Sequence, residues 1–388
     1  MDVTLFSISL ACLVVLLLIV LLKKLRQPYL IAYLTAGTLL RPVLHCILPT
    51  TQQIETIGEV GLLLLMFFLG MEMHIPNRRS LLIKPFIAQV SKTLLGIGFA
   101  FLIGRILHLP NEHCIILSML FVFNSTAIVS DYLRRNGQLA TNFGIVILNM
   151  LLLQDVLLAP TLTLLRFLSS SQVQVVPLIG AAIACALIFV LLKSIRGDRI
   201  IRIPGLTFLQ NDHDLQVFFG LSLCLGFGTL AELAGLTSSI GSFIAGILIG
   251  RSPALHWLEK TLRPLRVFFV AFFFMSIGLQ LDLSYIMTHP ELTLIAASLI
   301  LISNSLLSAL IFRVLQFKWA DSFYAGALLA HTGEFGILAC SLAHSLGLID
   351  SAFFKVVIAT TGLSLLLSTV WIQFPQRLVT YILRSKRN

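Results

Sequence analysis

The chain has 388 residues, 57% of them hydrophobic and 11% charged, with a mean hydropathy of +0.97. A water-soluble fold of this length needs far more polar surface, and no polar block is long enough to fold as a separate domain. The formal net charge of +10 does not indicate nucleic acid, because the basic residues sit in short loops between apolar runs.

Taken in chain order, the apolar runs predict an all-α polytopic membrane protein with about thirteen transmembrane helices. The predicted spans are roughly 5–22, 28–40, 57–73, 81–107, 114–133, 141–166, 176–195, 215–233, 237–250, 267–283, 291–313, 320–345 and 353–375. The first resembles a signal peptide in length. No basic segment precedes it, however, and Lys23, Lys24 and Arg26 follow, which makes it an uncleaved span. Spans 28–40 and 237–250 are short and need tilt or flanking residues to cross. Comparing alternate loops places 22 of the 27 Lys and Arg residues on one side. That side is cytoplasmic by the positive-inside rule, so the N-terminus lies outside and the C-terminus inside a cell (inner) membrane. The six cysteines are scattered without CxxC spacing, so neither a disulfide framework nor a resident metal or other cofactor is expected.

The chain repeats itself at a shift of about 208 residues. Ala36-Gly37-Thr38-Leu39-Leu40 recurs as Ala245-Gly246-Ile247-Leu248-Ile249, and Leu69-Gly70-Met71-Glu72-Met73 as Ile277-Gly278-Leu279-Gln280-Leu281. Asn124-Ser125-Thr126 falls on Thr332-Gly333-Glu334. The second unit begins seven spans after the first, and an odd offset inverts it. Inverted-topology repeats, about 28–166 and 237–375, are the expected architecture, with the site near the midplane between them.

Few ionisable residues fall deep within spans: Lys92, Asp155 and Glu334, with His331 nearby. Each costs about 2.5–3.5 kcal/mol on insertion scales and therefore normally faces the protein interior. Asp155 lies near the middle of its span, where a lone carboxylate can take either a proton or a monovalent cation on the same oxygens. Gln154 offers a neutral carbonyl oxygen beside it, and Pro160 frees a backbone carbonyl one turn on. Asn124, Ser125 and Thr126 in one span, and His331 to Gly336 in another, read as two crossing discontinuous helices whose ends can face an ion. Glu334 suits ion binding or balancing of the positive helix ends. Lys92 needs a partner, either Asp155 or Glu334, unless it snorkels along Gln89, Ser91 and Thr93. His331 reads as a hydrogen-bonded core histidine rather than a relay. No HExxH, P-loop or intramembrane-protease serine motif occurs, so an enzyme is not expected.

These residues resemble the monovalent cation/proton antiporters, and the Kef-type potassium-efflux branch in particular. The resemblance runs through Gly58-Glu59-Val60-Gly61, Gly70-Met71-Glu72-Met73, Ser125-Thr126-Ala127-Ile128, Leu153-Gln154-Asp155, Ala245-Gly246, Phe274 to Leu279 and Gly333-Glu334-Phe335, over about residues 25–375. It implies a homodimer of thirteen-helix protomers, with moving core helices at about 81–166 and 291–375 and dimer or scaffold helices at about 5–73 and 176–283. The implied activity is exchange of a monovalent cation, K+ ahead of Na+, for protons by alternating access at Asp155. Two features depart from the pattern: Asn304 stands where many relatives carry a base, and only about thirteen residues follow the last span. Regulation by a cytosolic nucleotide-binding domain would then need a separate subunit. The alternatives from the residues are a sodium-coupled symporter of a small organic anion on a similar scaffold, and a sensor that has lost transport.

Overall fold

The computed structural model describes residues 3–24, 29–47, 52–72, 80–169, 212–233, 238–250 and 257–385. Every regular element among these residues is a helix. In order they are α1 (Val3–Lys24), α2 (Tyr29–Ile47), α3 (Gln52–Glu72), α4 (Ser80–Ile106), α5 (Asn111–Val122), α6 (Thr126–Arg135), α7 (Asn142–Ser169), α8 (His213–Leu233), α9 (Ser238–Gly250), α10 (Trp257–Gln280), α11 (Leu283–Thr288), α12 (Pro290–Val314), α13 (Trp319–Leu328), α14 (Glu334–Ser345) and α15 (Ser351–Ser385).

Seven stretches among the described residues are long and apolar enough to cross a membrane, the α5–α6 pair counting as one of them. The predicted span 176–195 lies outside the described residues. The predicted short span at 28–40 proves longer, because α2 continues through Arg41 and Pro42 to Ile47 for 19 residues. The α9 helix keeps its predicted brevity: its 13 residues span about 20 Å at 1.5 Å per residue. The polar and apolar faces are those of a protein solvated by lipid. On α12, Leu294, Ile295, Ile302, Leu306 and Leu310 point outward, while Ser303, Asn304 and Ser308 are buried.

The internal repeat is written into the backbone. The α4 helix ends with Leu107, His108 and Leu109 amides donating to the Ile103, Arg105 and Gly104 carbonyls, and His108 takes φ 53°. The α12 helix ends with Leu315, Gln316 and Phe317 amides donating to Ile311, Arg313 and Phe312, and Gln316 takes φ 67°. Each group stands 208 residues after its counterpart, as do the first residues of α13 and α14 after those of α5 and α6. A left-handed residue that satisfies the last carbonyls is a common helix stop, but both of these are non-glycine residues, which rarely adopt it.

Glycines set how the two units meet. A Cβ on Gly278 would stand 3.0 Å from Gly37 Cα, and one on Gly70 would stand 3.1 Å from Gly246 Cα. Gly37 and Gly246 are repeat equivalents, and so are Gly70 and Gly278. The α2–α10 contact and the α3–α9 contact are therefore the same crossing made twice, exchanged by a pseudo-twofold relation. Small residues permit such backbone approach where lipid provides no hydrophobic drive. Beside this layer, α4 packs on α5 and α7, and α12 on α13 and α15, and these helices hold the buried polar residues.

Candidate functional site

Two helices that would each cross the membrane are broken at equivalent places. The chain leaves α5 at Phe123, extended at φ −95° and ψ 120°, and re-enters helix at Thr126 behind the N-cap Ser125. Its counterpart leaves α13 at Leu329 and re-enters at Glu334 behind Gly333. The two breaks bond to one another. The Gly333 amide donates to the Phe123 carbonyl at 3.0 Å. Asn124 Nδ2 donates to the carbonyls of Leu329 and His331 at 3.0 and 2.7 Å. Thr332, its repeat equivalent, donates its hydroxyl to the Leu120 carbonyl at 3.1 Å. Each break thus caps the other half-helix, which satisfies carbonyls that have no partner inside a broken helix. Gly333 is required for this approach, since a Cβ there would lie 2.6 Å from the Asn124 oxygen and the Ser125 nitrogen.

Asp155 lies buried on α7 beside this crossing, 2% exposed, five residues before Pro160. Its carboxylate accepts a hydrogen bond from Thr126 Oγ1 at 3.3 Å. No ion pair to Asp155 forms among the described residues. Glu334 is the first residue of α14 and is buried within Coulombic range of Asp155, with the Ser125 hydroxyl next to it. Among the described residues no hydrogen bond of full geometry reaches either Glu334 oxygen, although the Ser125 hydroxyl lies close enough to interact. The crossing thus gathers the two carboxylates, Ser125 and Thr126 at the N-terminal ends of α6 and α14, where partial positive charge favours anions.

Gln154 does something other than offer a free oxygen. Its Oε1 accepts from the Asn124 amide at 2.9 Å, and its Nε2 donates to Gln89 at 3.0 Å and to Asn124 Oδ1 at 3.3 Å. It ties α7 to the break and to α4. Lys92 neither pairs with a carboxylate nor snorkels. It is 1% exposed, and its ammonium donates to Asn124 Oδ1 and, at 3.4 Å, to the Leu329 carbonyl. The reason is helical phase: Gln89, Lys92 and Gly96 share the inner face of α4, while Phe86, Val90 and Leu94 face outward. His331 is fully buried, as expected of a core histidine, and the Ser125 backbone is the polar group that approaches its ring. Cys12, Cys114, Cys224 and Cys340 are free thiols.

Asn124 is the hub that the sequence understated. Its amide group serves two carbonyls and its oxygen accepts from Lys92 and Gln154. The available signal was its position, a side chain with both donors and acceptor at the break itself. Asn124→Ala is expected to cost about 2–5 kcal/mol, because it takes one partner each from a buried ammonium and two buried carbonyls and leaves the His331 carbonyl without that bond. Thr332→Val should cost only about 1 kcal/mol, since Asn304 Nδ2 also serves Leu120 O. Apparent melting temperatures of the two purified variants in detergent check the ranking.

Comparison with known proteins bears on the family and the fold. The family described as "Sodium/hydrogen exchanger, transmembrane" matches residues 10–377. The chain is 27% identical to the iron transporter MagA of Paramagnetospirillum magneticum over 352 residues, 90% of this chain and 81% of that protein. It is 25% identical to a glutathione-regulated potassium-efflux system protein of Haemophilus influenzae, covering 92% of this chain and 59% of the relative. It is also 25% identical to K(+) efflux antiporter 5 of Arabidopsis thaliana, covering 88% and 61%. The chain therefore spans about three-fifths of these two potassium-efflux relatives. The sodium proton antiporter MjNhaP1 of Methanocaldococcus jannaschii shares the fold, with a TM-score of 0.63 over 95% of this chain and 96% of that one at 17% identity. A family match over nearly the whole length, on a helical membrane fold with a buried carboxylate at paired helix breaks, assigns this chain to the sodium/hydrogen exchanger family, within the monovalent cation/proton antiporters.

Proposed function

We propose that the protein exchanges a monovalent cation, K+ ahead of Na+, for protons at Asp155, exposing the site alternately to the two sides of a cell (inner) membrane. The observation that carries this reading is the state of Asp155. Among the described residues it is buried, accepts from the neutral Thr126 hydroxyl, and enters no ion pair that would lock it. A carboxylate in that setting can hold one proton or one monovalent cation but not both, and this competition is what couples the two fluxes. Ser125, Thr126 and Glu334 supply the other oxygens, while Gln154 fixes the helix that carries Asp155.

K+ is favoured by the Gln154-Asp155 pair and by the potassium-efflux relatives. Thirteen helices in inverted repeats are supported by the thirteen apolar runs of the sequence and by the repeated caps and glycine crossings. The alternation of basic loops gives the N-terminus outside and the C-terminus in the cytoplasm. The helices around the crossing form the moving core, and α1–α3 with α8–α10 the scaffold and homodimer contact.

Proton flux into proteoliposomes under outward K+, Na+, Li+ and choline gradients tests this. K+ is expected to drive the fastest flux and choline none. Equal rates with choline would sink the exchange reading. Sodium uptake stimulated by an organic anion, without proton flux, would favour the symporter.

A further inference from the structure

The connection from α12 to α13 makes an elbow at the end of a membrane span, on the side that carries most of the basic loops. Gln316, at φ 67°, turns the chain there. The turn sends the Phe317 ring inward, with its centroid 5.4 Å from that of Phe312 and 6.2 Å from that of Phe143. Lys318 and Trp319 follow it and are exposed. Arg313 Nη1 donates to the Phe317 carbonyl at 3.0 Å, and its guanidinium stands 5.2 Å from the centre of the Trp319 ring. Lys84, near the start of α4, holds its ammonium 4.7 Å from the centre of the Phe317 ring. Two helices and the elbow thus bring three cations to one aromatic cluster. Among the described residues none of the three enters an ion pair. Against them the elbow carries a single acid, Asp321, which leaves an excess of two positive charges.

Apolar surface adjoins these cations. The Trp319 and Phe323 rings stack at 5.5 Å and remain 54% and 49% exposed, and Leu310 and Val314 on the last turns of α12 also face outward. The internal repeat supplies a comparison. At the equivalent elbow between α4 and α5, Arg105 stands for Arg313, but Leu109, Pro110 and Asn111 stand for Phe317, Lys318 and Trp319, and Leu292 stands for Lys84. Helix packing needs the same turn at both elbows, and both have it. The cluster of bases and aromatic rings occurs at one of them, so packing does not account for it.

We propose that this elbow binds the headgroup of an anionic phospholipid, with Lys84, Arg313 and Lys318 on the phosphate and Trp319 and Phe323 against the glycerol and the upper acyl chains. Bases grouped between helices at one membrane surface attract anionic headgroups, and aromatic rings settle at headgroup depth. The Arg313 guanidinium, fixed by the Phe317 carbonyl and the Trp319 face, keeps further planar donors for phosphate oxygens. A zwitterionic headgroup brings its own ammonium among three cations and gains less.

The purified full chain in neutral detergent tests this. It is titrated with dioleoylphosphatidylglycerol, with dioleoylphosphatidylcholine and with inorganic phosphate, and bound lipid is counted by native mass spectrometry. Phosphatidylglycerol is expected to bind about tenfold or more tightly than phosphatidylcholine, and inorganic phosphate at the same concentration should not displace it. Equal affinity for the two lipids overturns the proposal without any variant. Displacement by phosphate overturns it too, since the elbow then holds a free anion rather than a lipid. Lys84→Gln/Arg313→Gln/Lys318→Gln should abolish the preference. Lys23→Gln/Lys24→Gln/Arg26→Gln, which removes the same charge from the first basic loop of the sequence, should keep it. A preference that survives the first variant, or that both variants lose alike, means that overall charge and not this elbow selects the lipid, and overturns the proposal.

Discussion

Asp155→Asn is expected to abolish K+-driven proton flux, a loss of about a hundredfold or more, since the variant removes the group on which both ions compete. The amide is nearly isosteric, and Thr126 Oγ1 can still donate to its carbonyl oxygen. Folding should therefore survive, and monodispersity and melting temperature in detergent should match the wild type. That separation of transport from stability makes the result informative. An asparagine cannot release a proton or balance a monovalent cation, so neither half of the cycle has a loaded neutral form. Flux at the wild-type rate in a well-folded Asp155→Asn protein would remove the central assignment. Ser125, Thr126 and Glu334 would then be helix-capping groups without a transport role.

The second large effect is structural. Gly278→Val is expected to cost about 3 kcal/mol or more, through backbone overlap that side-chain rotation cannot relieve. A Cβ at Gly278 would come within 2.9 Å of the Thr38 amide nitrogen and 3.0 Å of Gly37 Cα. The α2 and α10 helices would have to separate, and with them the contact by which one repeat lies on the other. Yield of monodisperse protein should collapse. Gly98→Ala on α4 is the control, because a Cβ there meets no heavy atom within 4 Å. It should be neutral or stabilising by up to about 1 kcal/mol. Equal loss in both variants would mean that helix glycines act through flexibility rather than through the crossing.

Much of this was legible in the sequence because it is encoded locally. Span positions follow from hydropathy, which needs only neighbouring residues. Breaks within spans show as Asn124-Ser125-Thr126 and as His331-Thr332-Gly333, where polar and glycine residues interrupt an apolar run. The repeat shows because equivalent turns need equivalent residues, as Gly37 and Gly246 do. Asp155 stood out because an isolated carboxylate in lipid is costly wherever the helix is placed.

Partner choice was not legible, because it depends on how helices distant in sequence are rotated against one another. The sequence marked Lys92 as buried but could not say that its ammonium would meet Asn124 and the Leu329 carbonyl rather than a carboxylate. It marked Gln154 as an oxygen donor beside Asp155, whereas packing committed that oxygen to the Asn124 amide. The sequence by itself determined a helical membrane protein, its two breaks, its repeat and the acidic residue at its centre, since each is a matter of local composition. Only the tertiary structure decided which polar groups satisfy one another: hydrogen bonds inside a membrane protein are set by distance and direction, and those exist only once the helices have packed.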